Sequence, residues 1–146
     1  MAEKGKTATI HFAGDELFIG ITPSGHAQAI ETNSARSSAA TPMELLLIAL
    51  GSCTGVDVIS ILKKQRQDVT DYRIEVKGER REGFPRSYTR LEVKHILRGR
   101  SVSEQAVARA IELSDQKYCS VAATLRGTAE IVTSYEIEED QTNAPA

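Results

Sequence analysis

The first third of the chain alternates between apolar and polar positions, which is the pattern of half-buried β-strands. Residues 7–12 form one alternating run, and residues 17–21 form a second run after a turn at residues 13–16. A third short strand is predicted near Gln28–Glu31, followed by a polar loop over residues 32–40. The apolar positions of the first two strands are Ala8, Ile10, Phe12, Leu17, Ile19 and Ile21. This segment therefore predicts a β-meander.

A long helix is predicted after the meander. Thr41 and Glu44 have the spacing of a capping box, with Pro42 at the first helical position. Residues 45–62 are apolar on nearly all sides, so we expect the helix to be packed between other elements rather than to lie on the surface.

The second half of the chain predicts two strands, a helix, a short helical segment and a final strand. The two strands are predicted at residues 72–77 and 91–97, and a charged hairpin loop, residues 79–87, joins them. A second capping box starts the helix at Ser101, and the helix ends near Tyr118. A short helical segment over residues 121–125 precedes the last strand, residues 129–137. The order β-β-β-α-β-β-α-β predicts an α+β fold in one domain, with a core over residues 7–137 and a frayed acidic tail over residues 138–146.

Charge and composition narrow the classes of partner. The 18 basic and 20 acidic side chains are interspersed and give a net charge of -2, so we expect neither nucleic acid nor an anionic membrane as a partner. Residues 1–6 are polar and resemble no signal peptide, and the longest apolar run noted, residues 45–50, is far too short to span a bilayer. The expected location is the cytoplasm.

Two cysteines, Cys53 and Cys119, are the candidates for chemistry. In a reducing compartment they are not a structural disulfide framework, and they lack the spacing of a zinc site. Cys53 lies between Gly51 and Gly55, which either give a substrate access to the sulfur or allow close helix packing. Cys119 lies where one helix ends and another begins, where helix amides would lower its pKa, or else it fills a seam in the core. These residues alone leave both alternatives open.

Two other titratable side chains bear on this chemistry. Asp57 follows Cys53 by one helical turn, and its charge would raise the pKa of the Cys53 thiol unless the carboxylate is paired. His95 is on the apolar face of its strand, so we expect a core histidine with one hydrogen-bond partner rather than a catalytic base.

Residues 42–58, PMELLLIALGSCTGVDV, resemble the central-helix signature of the OsmC/Ohr family. Residues 60–69 are similar to the YhfA-like branch of that family. In the second half, residues 106–114 lead into the segment around Cys119 as they do in the family. The resemblance covers about residues 7–137.

The resemblance implies an OsmC-like fold, an intertwined homodimer in which sheets wrap around central helices. It also implies that Cys53 is the peroxidatic thiolate, which reduces an organic hydroperoxide to an alcohol and becomes a sulfenic acid. Cys119 then condenses with it to a disulfide. An external dithiol, often lipoyl-linked, restores the thiols, and no metal, flavin or haem is required.

The resemblance further implies an arginine beside the thiolate, held by a glutamate through a bidentate contact. Arg36 is the nearest arginine before the helix, and Glu44 matches the glutamate of the helix-opening motif. Glu44 and Cys53 are nine residues apart, whereas better-studied peroxidases have a gap of ten. On one straight helix they are about 180° and about 13.5 Å apart. Contact would require the partner subunit or a helix break at Gly51–Ser52.

Two alternatives to catalysis remain open at the level of sequence. The same apolar cleft beside Cys53 could bind a small ligand or electrophile without turnover. Two inert core cysteines would instead be unreactive towards alkylating reagents in the folded protein.

Overall fold

The elements of the chain follow the predicted order, and the α+β fold class is confirmed. A computed structural model describes residues 4–142. The chain consists of two compact units, and the boundary between them lies between Leu46 and Leu47. The elements are β1 (Thr9–Phe12), β2 (Leu17–Ile21), β3 (Ala27–Glu31), α1 (Pro42–Lys64), β4 (Asp68–Arg80), β5 (Tyr88–Arg100), α2 (Glu104–Leu113), a π-helical turn (Ser114–Tyr118), α3 (Ser120–Leu125) and β6 (Glu130–Glu139).

The first unit contains the predicted meander. β2 pairs antiparallel with both β1 and β3. Gly14 and Asp15 take positive φ values of 110° and 49° in the β1–β2 turn, where the Ala13 amide donates to the Leu17 carbonyl at 2.8 Å. Apolar side chains of this sheet remain exposed in the single chain, including Ile10 (58%) and Phe12 (68%).

Helix α1 is buried along one face only. The buried positions are Leu50, Gly51, Thr54, Gly55, Val58 and Leu62. Ile48 and Val56 are 62% and 64% exposed. In the single chain the helix is therefore not enclosed on all sides, in contrast to the prediction.

The sequence analysis underestimated the apolar length of α1. The helix has 23 residues, and the mean hydropathy of its most apolar 18-residue stretch is 2.1. A third of that stretch is buried. The helix is therefore long and apolar enough to cross a membrane. The expectation that no segment approaches this length was wrong, because single polar residues such as Thr54 and Asp57 interrupt the run without lowering its average enough. One such helix is weak evidence for insertion, since the core helix of a soluble protein has the same length and composition.

The second unit is built on the three-stranded sheet β4-β5-β6. β4 and β5 form a long antiparallel hairpin, and β6 lies parallel to β5 with Val93 opposite Thr133. Each hairpin strand has 13 residues, longer than predicted. β6 continues through Glu139, two residues into the segment expected to be a frayed tail.

The core of the second unit lies where α1 and α2 meet the sheet. Its buried members are Val58, Leu62, Leu97, Val107, Ala110 and Ile111. The N-cap of α2 is Ser103, whose hydroxyl accepts the Ala106 amide at 3.2 Å, and not Ser101 as predicted. Ser101 has a φ of 50° and donates its amide to the Glu139 carboxylate, so it lies outside the helix.

Candidate active site

Cys53 lies on α1 between two glycines that contact the sheet. A Cβ atom on Gly55 would lie 2.5 Å from Ile74 Cδ1, and one on Gly51 would lie 3.0 Å from Val76 Cγ2. Close packing of α1 on β4 therefore accounts for both glycines. Cys53 itself is a free, partly exposed thiol.

Cys119 is the N-cap of α3, as its position between two helical segments predicted. Its sulfur accepts the amide N–H of Ala122 at 3.4 Å, and its own amide donates to the Ser114 carbonyl at 2.8 Å. Only 4% of the residue is exposed.

The structure brings the two cysteines together. The pKa of Cys119 is raised to about 11, chiefly by burial and with smaller contributions from Cys53 as a hydrogen-bond partner and through its charge. The Ala122 amide lowers this pKa, as expected for a helix N-terminus, but the cost of desolvating a buried thiolate is larger. Of the two alternatives that the sequence left open, burial in the core therefore has the larger effect on this pKa.

A hydroxyl–carboxylate network lies beside the two thiols. Ser114 Oγ donates to Asp57 Oδ2 at 2.8 Å and is 2.8 Å from Thr54 Oγ1. The charge of Asp57 contributes to the raised pKa of Cys119, whereas the sequence analysis expected its effect on Cys53. Sequence analysis singled out Asp57 but missed Thr54 and Ser114. The sequence signal for Ser114 was its position one turn after the buried Ala110 and Ile111, where a hydroxyl continues the apolar face of α2 beyond the end of that helix.

A small cavity of about 10 Å³ reaches Cys119 from the sheet side. Its lining residues are Leu50, Thr54, Val93, Asp115, Cys119, Ala122, Ile131 and Thr133. This volume is close to the smallest that holds one water molecule.

Arg36 is held by a carboxylate that the sequence analysis did not name. Arg36 Nε lies 2.8 Å from Glu31 Oε1, and Arg36 Nη2 lies 3.0 Å from Glu31 Oε2, which is a bidentate contact. Asp15 adds a third contact at 3.2 Å. Glu31 is 1% exposed, and its hydrogen bond is the largest cause of the raised pKa of Arg36. The expected partner, Glu44, is replaced in this role by Glu31.

Glu44 instead closes the predicted capping box of α1. Its carboxylate accepts the Thr41 amide at 2.9 Å, and the Thr41 hydroxyl accepts the Glu44 amide at 3.2 Å. The bond from the Thr41 backbone is the largest cause of the lowered pKa of Glu44. Helix α1 is continuous, so the break at Gly51–Ser52 that was considered does not occur.

His95 is a core residue with one hydrogen-bond partner, as predicted. It is fully buried, and its Nδ1 lies 2.6 Å from the Tyr72 hydroxyl. Nε2 has no partner in the part of the chain that the structure describes. Burial lowers the pKa of His95 to about 4, which keeps the ring neutral at pH 7.

The chain is similar to a known protein family, to a bacterial relative and to solved structures. The family model for OsmC-like protein matches residues 35–134. Protein YhfA of Escherichia coli is 45% identical over 120 residues, which are 82% of this chain and 89% of YhfA. A hypothetical protein from Aquifex aeolicus has a solved structure with 35% identity and a TM-score of 0.85, covering 95% of this chain and all of that one.

More distant solved structures share the fold. An organic hydroperoxide resistance protein OsmC from Legionella pneumophila has a TM-score of 0.65 at 13% identity, covering 93% of this chain and 99% of that chain. At this identity the comparison concerns the fold alone.

Proposed function

Because the chain belongs to the OsmC-like protein family, as its sequence resemblance predicted, we propose that it is a cysteine-based peroxidase that reduces organic hydroperoxides. The observation that carries the proposal is the proximity of the two cysteines: Thr54, which follows Cys53, lies 2.8 Å from Ser114, and the Ser114 carbonyl accepts the Cys119 amide at 2.8 Å. The name of the Legionella protein of similar fold supports the choice of an organic hydroperoxide as substrate.

The proposed reaction uses the two cysteines in sequence. The Cys53 thiolate attacks the distal oxygen of the hydroperoxide, the O–O bond breaks, and the alcohol leaves after taking up a proton. Cys53 is then a sulfenic acid, and Cys119 condenses with it to release water and form a disulfide. Cys53 is the attacking thiol because it is the more exposed and because Cys119 is held protonated.

An external dithiol, for which a lipoyl group is one candidate, then reduces the disulfide by thiol–disulfide exchange. The cycle requires no metal or organic cofactor in this proposal, and its expected location is the cytoplasm. The resemblance also gives Arg36 a place beside the thiolate, which stays a prediction, now with Glu31 as the carboxylate that orients the guanidinium.

We also propose that the working unit is a homodimer. Large apolar side chains are exposed in each of the two units of the chain: Ile10 and Phe12 in the first, Ile48 and Val56 in the second. Exposed apolar side chains of this size are typical of surfaces that a partner covers. Analytical ultracentrifugation would test this, with a monomer at micromolar concentration as the contradicting result.

The peroxidase proposal is tested with cumene hydroperoxide and dihydrolipoamide. Wild-type protein should consume the peroxide, and Cys53→Ser should abolish the activity. Ser52→Ala is a matched control, because Ser52 is exposed and bonds only to carbonyls of its own helix. Equal turnover in Cys53→Ser and wild type would refute the proposal.

A ligand-binding protein without turnover is the second candidate. A groove of about 360 Å³ runs along α1 and is lined by Leu47, Ile48, Gly51, Ser52, Ile74 and Val76, while Cys53 is not part of its lining. Its mostly apolar lining suits a small apolar ligand. Undetectable peroxide consumption together with a ligand that stays bound through purification would favour this function.

A further inference from the structure

A network of three side chains connects the helix that carries Cys53 to the turn that precedes Cys119. Ser114 Oγ is 2.8 Å from Asp57 Oδ2 and 2.8 Å from Thr54 Oγ1 on α1. We propose that Asp57 and Ser114 are positioning residues, which hold Cys119 near Cys53 and keep it an uncharged thiol until Cys53 has become a sulfenic acid. This inference rests on the proposed function of the two cysteines.

The direction of each hydrogen bond follows from the chemistry of the groups. The Ser114 hydroxyl has one proton, which it donates to the Asp57 carboxylate. The Thr54 hydroxyl must therefore be the donor to Ser114 Oγ. Thr54 and Ser114 are buried, at 6% and 0% exposure, so water does not compete for these bonds. The network consequently has a single arrangement of protons and fixes Ser114 on α1.

Ser114 also determines where Cys119 lies. The amide N–H of Cys119 donates to the Ser114 carbonyl at 2.8 Å, a bond between residues five apart that closes the π-helical turn. The Ser114 side chain is thus bound to α1 while its main chain holds Cys119. π-helical turns of this kind are frequent at functional sites. One residue therefore couples the position of Cys119 to the helix that carries Cys53.

The charges around Cys119 favour its protonated form. Asp57 acts on it from α1 and has no lysine or arginine within 4.0 Å among residues 4–142. Asp115, from the π-helical turn, lines the cavity at Cys119 but is paired with Arg126 at 2.8 Å. The other described side chains that line this cavity, from β5, β6 and α3, carry no charge. Asp57 is thus the carboxylate whose charge near Cys119 is not offset by an ion pair.

An uncharged Cys119 suits the peroxide step, which precedes the condensation. It does not compete with Cys53 for the hydroperoxide, because the thiolate is the nucleophilic form. In the condensation the S–H bond of Cys119 and the S–O bond of the Cys53 sulfenic acid break, and an S–S bond forms. The hydroxyl leaves with the thiol proton as water, so the Cys53 sulfur is reduced and the Cys119 sulfur is oxidised.

The role of the Asp57 charge is tested by alkylation of Cys119 in a Cys53→Ser background. Asp57→Asn keeps an oxygen that accepts from Ser114 but removes the charge. The rate of reaction with iodoacetamide between pH 7 and 9, followed by intact mass, should rise several-fold at each pH. Asp115→Asn is the matched control, and it should change the rate less than twofold because Arg126 offsets that charge. An unchanged rate in Asp57→Asn would overturn the charge role.

The positioning role is tested with both cysteines present. Diamide, an oxidant specific for thiols, should form the Cys53–Cys119 disulfide at least tenfold more slowly in Ser114→Ala than in wild type. Ser114→Thr, which restores the hydroxyl, should recover most of the rate, whereas a purely structural loss of packing would not be rescued by a larger side chain. Equal rates in Ser114→Ala and wild type would overturn the proposal. Neither assay contains a hydroperoxide, so both remain decisive if the protein has no peroxidase activity.

Discussion

Lowering the pH from 7 to 4 tests how the buried His95 affects stability. The ring is fully buried on β5, its Nδ1 is bonded to Tyr72, and its Nε2 has no partner among the described residues. Burial also raises the pKa of Tyr72, so the phenol keeps its proton and can donate it to Nδ1. The neutral ring then carries its own proton on Nε2. A second ring proton would have to enter at Nδ1 and displace the bond from Tyr72.

The sign and size of the effect follow from the two pKa values. Burial lowers the pKa of His95 from 6.5 to about 4, so the unfolded chain binds the proton more tightly than the folded protein. The contribution of the buried neutral ring to the free energy of unfolding is therefore fully present above pH 6.5. It declines as the pH falls towards 4 and changes little below that pH. At about 1.4 kcal/mol per pKa unit, the total is roughly 3 kcal/mol, with a slope of about 1 kcal/mol per pH unit near pH 5.

Urea unfolding at intervals of half a pH unit between 4 and 7 measures this contribution. Carboxylates also titrate in this range, so the informative quantity is the difference between wild type and His95→Gln at one protein concentration. The free energy of unfolding of wild type should fall by roughly 3 kcal/mol more than that of the variant. His26→Gln, which changes an exposed histidine, should keep the wild-type slope. Parallel slopes for wild type and His95→Gln would refute this account of the buried ring.

Three further predictions concern stability and use urea unfolding at pH 7. Gly55→Val should destabilise the protein by about 1–3 kcal/mol, because its branched side chain would overlap β4, and a stability equal to wild type would contradict the packing argument. Glu31→Gln should cost about 1–3 kcal/mol by breaking the bidentate contact to Arg36, and a cost below about 0.5 kcal/mol would show that this buried carboxylate is dispensable. Ser103→Ala should cost about 1 kcal/mol as loss of the α2 N-cap, and an equal cost for Ser101→Ala would contradict the cap assignment.

Much of the fold was predictable because it depends on local patterns. The alternation in β1 and β2, the capping box at Thr41 and the helical junction at Cys119 each involve residues within a few positions of one another. The predicted ends of helices and strands were less accurate. Ser101 and Ser103 can both act as an N-cap, and only the backbone conformation shows that Ser103 caps α2.

The candidate site was less predictable because its contacts are distant in the sequence or lack a motif. Asp57 and Ser114 are 57 residues apart, and no local pattern connects them. Glu31 was overlooked because it lies at the end of a strand, where the alternation gives no reason to expect a buried carboxylate. The direction of the pKa shift of Cys119 stayed open because the sequence reveals a helix N-terminus but not the extent of burial.

The parallel pairing of β5 and β6 has a consequence for the newly made protein. The segment that carries Cys119 lies in the crossover between these strands, so it takes its place only when β6 has been synthesised. The ribosome adds 86 residues from Cys53 to Glu139, the end of β6, which takes roughly 4 to 17 s. During that interval a nascent chain exposes Cys53 without the thiol that would limit its oxidation. Oxidant stress should therefore damage chains still under synthesis more than finished ones.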